Sequence, residues 1–132
     1  MSLSPTQRTI RELKNQGRTC GIVERFISNT SFGHGIRSDL FHIFDIVALD
    51  SARGIIGIQT CGDDFAAHFR KMTEEYGGNT IEWIKCGGVA ELWSWRKVKA
   101  RRGGKLKVWK PRVKEITLED FETAEDPCRE TA

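Results

Sequence analysis

The sequence predicts an α/β sandwich, helices packed on a mixed sheet, and three observations carry that expectation. Two nearly continuous apolar runs, Leu40–Leu49 and Gly54–Cys61, each have the length of a buried strand and are separated by the turn-like Asp50-Ser51-Ala52-Arg53. Phe65, Phe69, Met72 and Tyr76 follow at i, i+4, i+7 and i+11, the stripe of a core-facing helix. Val89–Arg96 and Lys105–Lys110 alternate, as strands with two different faces do. At 132 residues the chain suits one core and is too short for two.

The elements follow in order. Ser4-Pro5-Thr6-Gln7 carries a capping residue, a proline suited to the first helical position and a capping-box acceptor, and Gly17 closes that helix, whose small apolar stripe is Ile10 and Leu13. Thr19–Ser28 is rich in β-branched residues and Phe and is predicted to be the first strand; the loop Asn29–Gly35 follows. The two apolar runs form a hairpin in the sheet centre. Asp63 or Asp64 caps the striped helix and Gly77-Gly78 stops it. Asn79-Thr80-Ile81-Glu82 looks like another capping box, opening a shorter helix to about Cys86 that Gly87-Gly88 ends. Arg101-Arg102-Gly103-Gly104 turns between the last two strands. The expected organisation is one domain over residues 1–117, including a hairpin at 96–114, and an acidic tail at 118–132 that frays.

Composition narrows the setting. With 39% hydrophobic and 30% charged residues the chain reads as an ordinary globular protein, and no apolar run approaches the roughly 18 residues that cross a bilayer. Residues 1–8 lack the layout of a secretory signal, and cysteines 20, 61, 86 and 128 contain no C-x-x-C pair. A reduced, cytoplasmic location and no membrane partner are expected. Charge is segregated: residues 96–114 hold ten cations and no acid, whereas residues 115–132 hold one cation and seven acids. Arg96, Lys97, Lys99, Arg101, Arg102, Lys105, Lys107, Lys110, Arg112 and Lys114 surround Trp109, a combination suited to phosphate contacts and base stacking. A solvated hairpin neutralised by the acidic tail is the plainer alternative.

Asp45 interrupts the apolar run LFHIFDIVAL, and an ionised side chain is rarely buried without a partner or a task. A turn centred on Ala52 pairs residues whose numbers sum to 104, so Asp45 faces Gln59 and Cys61 follows on the same face. Opposed side chains about 5 Å apart can share one cation or simply a buried hydrogen bond. Both readings stand on the pattern alone.

These residues resemble the PD-(D/E)xK nuclease superfamily, which includes restriction endonucleases and archaeal Holliday-junction resolvases. The likeness spans roughly residues 4–96: an acidic residue opens a D-I-V-A run, a short turn follows, and the polar-x-polar triplet Gln59-Thr60-Cys61 ends the next strand within an α-β-β-β-α-β order. Arg37–Asp45 is also similar to an R-x-D-L-F-x-x-x-D signature of small phage-borne members. The resemblance implies a restriction-endonuclease-like αβββαβ fold, Asp45 as the main ligand of Mg²⁺ or Mn²⁺, Gln59 in the place of the usual acid, and Glu24 as accessory acid. It also implies activity on DNA, with a structure-selective substrate such as a junction, and a two-fold dimer.

Three positions depart from the family pattern. Phe44 replaces the proline, Gln59 replaces an anionic ligand, and Cys61 replaces the lysine that orients water and stabilises developing charge. A base from the next helix is the alternative: His68 lies about 60° from the apolar stripe and Lys71 about 120°, which favours His68. Asp39 reads equally as a second metal ligand or a turn cap. His34 and Arg37 are candidates for phosphate contact, with an exposed loop histidine as the plainer reading of His34, and His42 is expected in the core. The cysteine spacing argues against both a zinc ribbon and a redox dithiol. Beside the endonuclease stand a DNA-binding module that kept the fold without the chemistry and, third, a protein-interaction adaptor.

Overall fold

The computed structural model describes residues 3–27 and 36–121. Its sheet has five strands, β1 (Cys20–Ile22), β4 (Ile46–Asp50), β5 (Gly54–Cys61), β6 (Val89–Lys99) and β7 (Lys107–Ile116), in the spatial order β1-β4-β5-β6-β7. Only β5 and β6 run parallel; the other neighbours are antiparallel, so the sheet is mixed. The parallel step requires a crossover. It is made by α2 (Phe65–Arg70), a π-turn at Lys71–Glu75 and α3 (Gly77–Lys85). A separate small ribbon pairs β2 (Arg25–Ile27) with β3 (Ile36–Ser38). No helix among the described residues is long and apolar enough to cross a membrane.

Strand alternation gives the sheet two apolar faces. Ile46, Ala48, Ile56, Ile58, Trp93 and Trp95 pack against Leu13 of α1 (Pro5–Asn15) on one side. Cys61, Ala90, Leu92 and Ile116 meet Ile43, Phe44 and Met72 on the other, with Phe65, Phe69 and Tyr76 packed on them. The predicted stripe is therefore core-facing. Burial of both Trp93 and Trp95 removes them from any stacking role; Trp95 donates to Thr9 and Trp93 to Glu91. The capping box of α1 forms as expected, Ser4 and Gln7 bonding each other's backbone N–H at 3.0 and 3.1 Å. The β4–β5 register also holds: Ile46 pairs with Ile58 and Asp50 with Gly54.

Several elements differ from expectation. The predicted strand Thr19–Ser28 is, over its described residues, two short strands in different sheets, because the Val23 and Glu24 N–H groups both turn to the Asp45 carbonyl. Leu40–Phe44 is a tight loop rather than the start of β4. Leu40 and Phe44 bond each other's backbone, and Phe41 and His42 take left-handed φ values of 54° and 66°. That loop buries Ile43 and Phe44 and leaves His42 exposed, stacked on Tyr76 with ring centroids 5.0 Å apart, so His42 is not a core histidine. Gly77-Gly78 begins α3 instead of stopping α2; first-turn N–H groups have no helical partner in any case, and the π-turn absorbs the change of direction. Asn79 donates to the Phe41 carbonyl rather than capping, and Asp64 turns to His68 rather than capping α2. Strands β6 and β7 pair over ten residues, from Ala90–Ile116 to Lys99–Lys107, beyond the predicted bounds. Residues Leu118–Phe121 form a short 3₁₀ turn docked by Phe121 and by a 3.1 Å Asp120–Lys114 ion pair, so this start of the acidic tail is held.

Candidate metal centre

The site forms where the chain reverses at one end of β4 and β5. Asp45 immediately precedes β4, and its N–H donates to the Ile58 carbonyl at 2.8 Å, which continues the ladder one step and sets its side chain beside Gln59. Asp39 comes from the other end of the tight loop. An extended chain would hold residues 39 and 45 roughly 20 Å apart. The loop instead returns Asp39 to Asp45. Glu24 enters from the break between β1 and β2, and one carboxylate oxygen from each of Glu24, Asp39 and Asp45 lies within 4.8 Å of the others. They line an open pocket of about 460 Å³ together with Thr60, His68, Lys71, Arg37 and the first turn of α1.

Gln59 is the hub. Its Nε2 donates to Asp45 Oδ2 at 2.9 Å and to Asp39 Oδ2 at 3.3 Å. Its Oε1 accepts from Lys71 Nζ at 3.1 Å and lies 2.9 Å from His68 Nδ1. Only this orientation places donors against carboxylates and an acceptor against the ammonium. The expected Gln59 carbonyl ligand is thus corrected: the amide nitrogen faces the carboxylates, and the oxygen faces Lys71 and His68. Thr60 donates its N–H and its hydroxyl to Asp45 Oδ2 at 2.8 and 3.0 Å, and that hydroxyl meets Thr6 of α1 at 2.9 Å. Thr60 and Thr6 were not singled out in the sequence; the register that pairs 45 with 59 was the available signal, since it places the next N–H on the same carboxylate.

Electrostatics separate the two aspartates. Burial pushes the Asp45 carboxyl up to about 8, helped by the hydrogen bond and charge of Asp39 and opposed by the bonds from Thr60. Burial acts on Asp39 in the same sense but is outweighed by hydrogen bonds from Asp45, Lys71 and Gln59 and by the Lys71 charge, so Asp39 is held below the usual range. One proton shared within a carboxylate pair follows from like charges at short range. Lys71 Nζ completes the set with a 3.0 Å bond to Asp39.

Sequence angles favoured His68 over Lys71, yet the structure brings both to Gln59; Lys71 also reaches Asp39, whereas His68 reaches Asp64. The α-helix ends at Arg70 and the π-turn begins at Lys71, so a fixed 100° step no longer applies there. No family model, curated protein or solved structure matches this chain. The donor set fits a hard divalent cation: three carboxylates converge, and Asp45 is uncharged at neutral pH only through a proton that such an ion would replace.

The other candidates are placed as follows. Arg37 is exposed, 3.7 Å from Glu24 at the pocket rim. His34 lies outside the described residues. Cys61 falls outside the Glu24–Asp39–Asp45 group and lies instead within 4.8 Å of Asp64 and His68. The hairpin of β6 and β7 carries Arg96, Lys97, Lys99, Lys107 and Lys110 exposed on its arms and Arg101, Arg102 and Lys105 at its tip. Of the clustered cations, Arg112 lies 3.7 Å over the Phe65 ring, Lys97 lies 5.4 Å over the Trp109 ring, and Lys114 pairs with Asp120. Trp109 is 39% exposed, with the Arg8 guanidinium 3.9 Å over its ring. Arg8, Arg96, Lys97 and Trp109 line a second hollow that shares Pro5 with the carboxylate pocket.

Proposed function

We propose that the protein is a metal-dependent DNA endonuclease with a restriction-endonuclease-like fold, acting on branched or junction DNA. The observation that carries this reading is the convergence of Asp39, Asp45, Gln59 and the Lys71 ammonium in one open pocket. The strand order and the parallel β5–β6 step joined by helices agree with the αβββαβ arrangement. Asp45, Asp39 and Glu24 would hold Mg²⁺ or Mn²⁺. Bound there, the ion would polarise a phosphodiester oxygen and make an adjacent water more acidic. Lys71 then fills the role vacated at Cys61: its ammonium lies beside the carboxylates, where charge on the phosphate develops. Thr60 and Thr6 fix Asp45 from behind. The basic hairpin grips flanking phosphates, which supplies affinity without reading sequence.

A second reading, a DNA-binding module without chemistry, is favoured by one feature. Gln59, Thr60 and Lys71 satisfy both aspartates without a metal ion, and among the described residues no buried side-chain nitrogen or oxygen lacks a partner. Labelled four-way junctions and linear duplex, incubated with Mn²⁺, separate the readings. The enzyme reading expects junction cleavage by wild type, none by Asp45→Ala, and at least about a hundredfold less by Lys71→Ala. Retarded but intact junction in every lane selects the binder; identical cleavage by wild type and Asp45→Ala removes the proposed site.

A further inference from the structure

Cys61, Asp64 and His68 form a group the mechanism above does not need. Cys61 ends β5, Asp64 sits just before α2, and His68 lies one helical turn beyond Asp64, so C-x-x-D-x-x-x-H directs three side chains to one spot. A thiol, a carboxylate oxygen and an imidazole nitrogen lie within 4.8 Å of one another. Cys61 approaches from the interior, only 4% exposed, while Asp64 stands at the rim with its side chain 56% exposed. An ion would therefore have both an enclosed ligand and an entry path.

We propose that Cys61, Asp64 and His68 constitute a site for a thiophilic divalent cation of the zinc class, separate from the carboxylate centre. Sulfur, nitrogen and one carboxylate suit a borderline-soft ion and not Mg²⁺. The second shell is already built. His68 Nδ1 is 2.9 Å from Gln59 Oε1, a carbonyl oxygen able to accept its N–H, which leaves Nε2, 3.0 Å from Asp64 Oδ2, as the ligating atom. An imidazole held by a carbonyl at one nitrogen and a metal at the other is the usual arrangement of a ligating histidine. On binding, the Cys61 S–H bond breaks as the sulfur–metal bond forms, the proton leaves to solvent, and water completes a three-ligand site. Burial holds the metal-free thiol protonated, up to about 11, so the ion competes with a proton. Through His68 the site touches Gln59, the hub of the carboxylate pocket.

Cobalt(II), a spectroscopic substitute for zinc, tests this on the full-length protein. Wild type should develop the near-ultraviolet thiolate-to-cobalt charge-transfer band, lose it when Zn²⁺ is added, and keep it in excess Mg²⁺. Cys61→Ser should show no band. Asp64→Asn, at an exposed position that leaves the core intact, should bind Co²⁺ at least about tenfold more weakly. Asp45→Asn should keep the band, since the carboxylate centre offers no sulfur, and this holds whether or not the protein cleaves DNA. No band in wild type, a band surviving in Cys61→Ser, or unaltered Co²⁺ affinity in Asp64→Asn would each overturn the proposal.

Discussion

At the scale of residues, the site is organised by a carboxyl that burial has made a weak acid. Asp45 titrates near 8 in the folded chain and near the ordinary carboxylate value when unfolded, so the folded state holds the extra proton. Folding stability is then fully present below the ordinary value and is lost as pH rises through about 8. Urea unfolding in chelator should show wild type weakening from about pH 5 to pH 9. Asp45→Asn keeps an acceptor for Thr60 and a donor for Asp39 and carries no charge. It should be flat across that range and more stable than wild type at pH 9 by about 2–4 kcal/mol. A parallel pair of curves would show that Asp45 titrates normally. The pairing with Gln59 was legible in the sequence, because turn position and a two-residue period fix register. The orientation of the amide was not, since it depends on Lys71 and His68 arriving from another element.

At the scale of elements, the loop at residues 40–44 does most to build the site. Apolar composition alone reads as strand there, and a strand would part Asp39 from Asp45. The loop closes because Phe44 has somewhere to go: its ring lies flat on Gly57 of β5, where a Cβ would sit 2.7 Å from Phe44 Cζ. Phe44 is fully buried and cannot move aside without disturbing the second core. Gly57→Ala should therefore cost about 1–3 kcal/mol of stability, measured by denaturant unfolding. It should also weaken Mn²⁺ binding by displacing Asp39. Wild-type stability in Gly57→Ala would mean that the loop is held by other contacts. Similarly, the π-turn after Arg70 decides that Lys71 reaches the pocket, and nothing in a 3.6-residue period announces such a turn.

At the scale of the molecule, charge segregation dictates how the protein should meet a polyanion. Lys114 is half-buried and paired to Asp120, and the other nine clustered cations are exposed on the hairpin, Arg112 over Phe65 and Lys97 over Trp109. DNA binding should fall steeply with salt, by about 10³-fold or more between 50 and 200 mM. Replacing Arg101 and Arg102 together by Ala should lower the slope of log affinity against log salt by about 2 without changing junction preference. Affinity indifferent to salt in a titrated gel shift would remove nucleic acid as the partner. By itself the sequence determined the mixed α/β class, the β4–β5 register, the core-facing stripe and the basic segment, because each rests on periodicity or composition over neighbouring residues. Only the tertiary structure decided that Asp39 returns to Asp45, that Lys71 and His68 meet at Gln59, and that Cys61 joins His68 instead of the carboxylates. Those meetings depend on where a buried ring finds room and where a helix changes pitch, and both are set by packing between segments far apart in the chain.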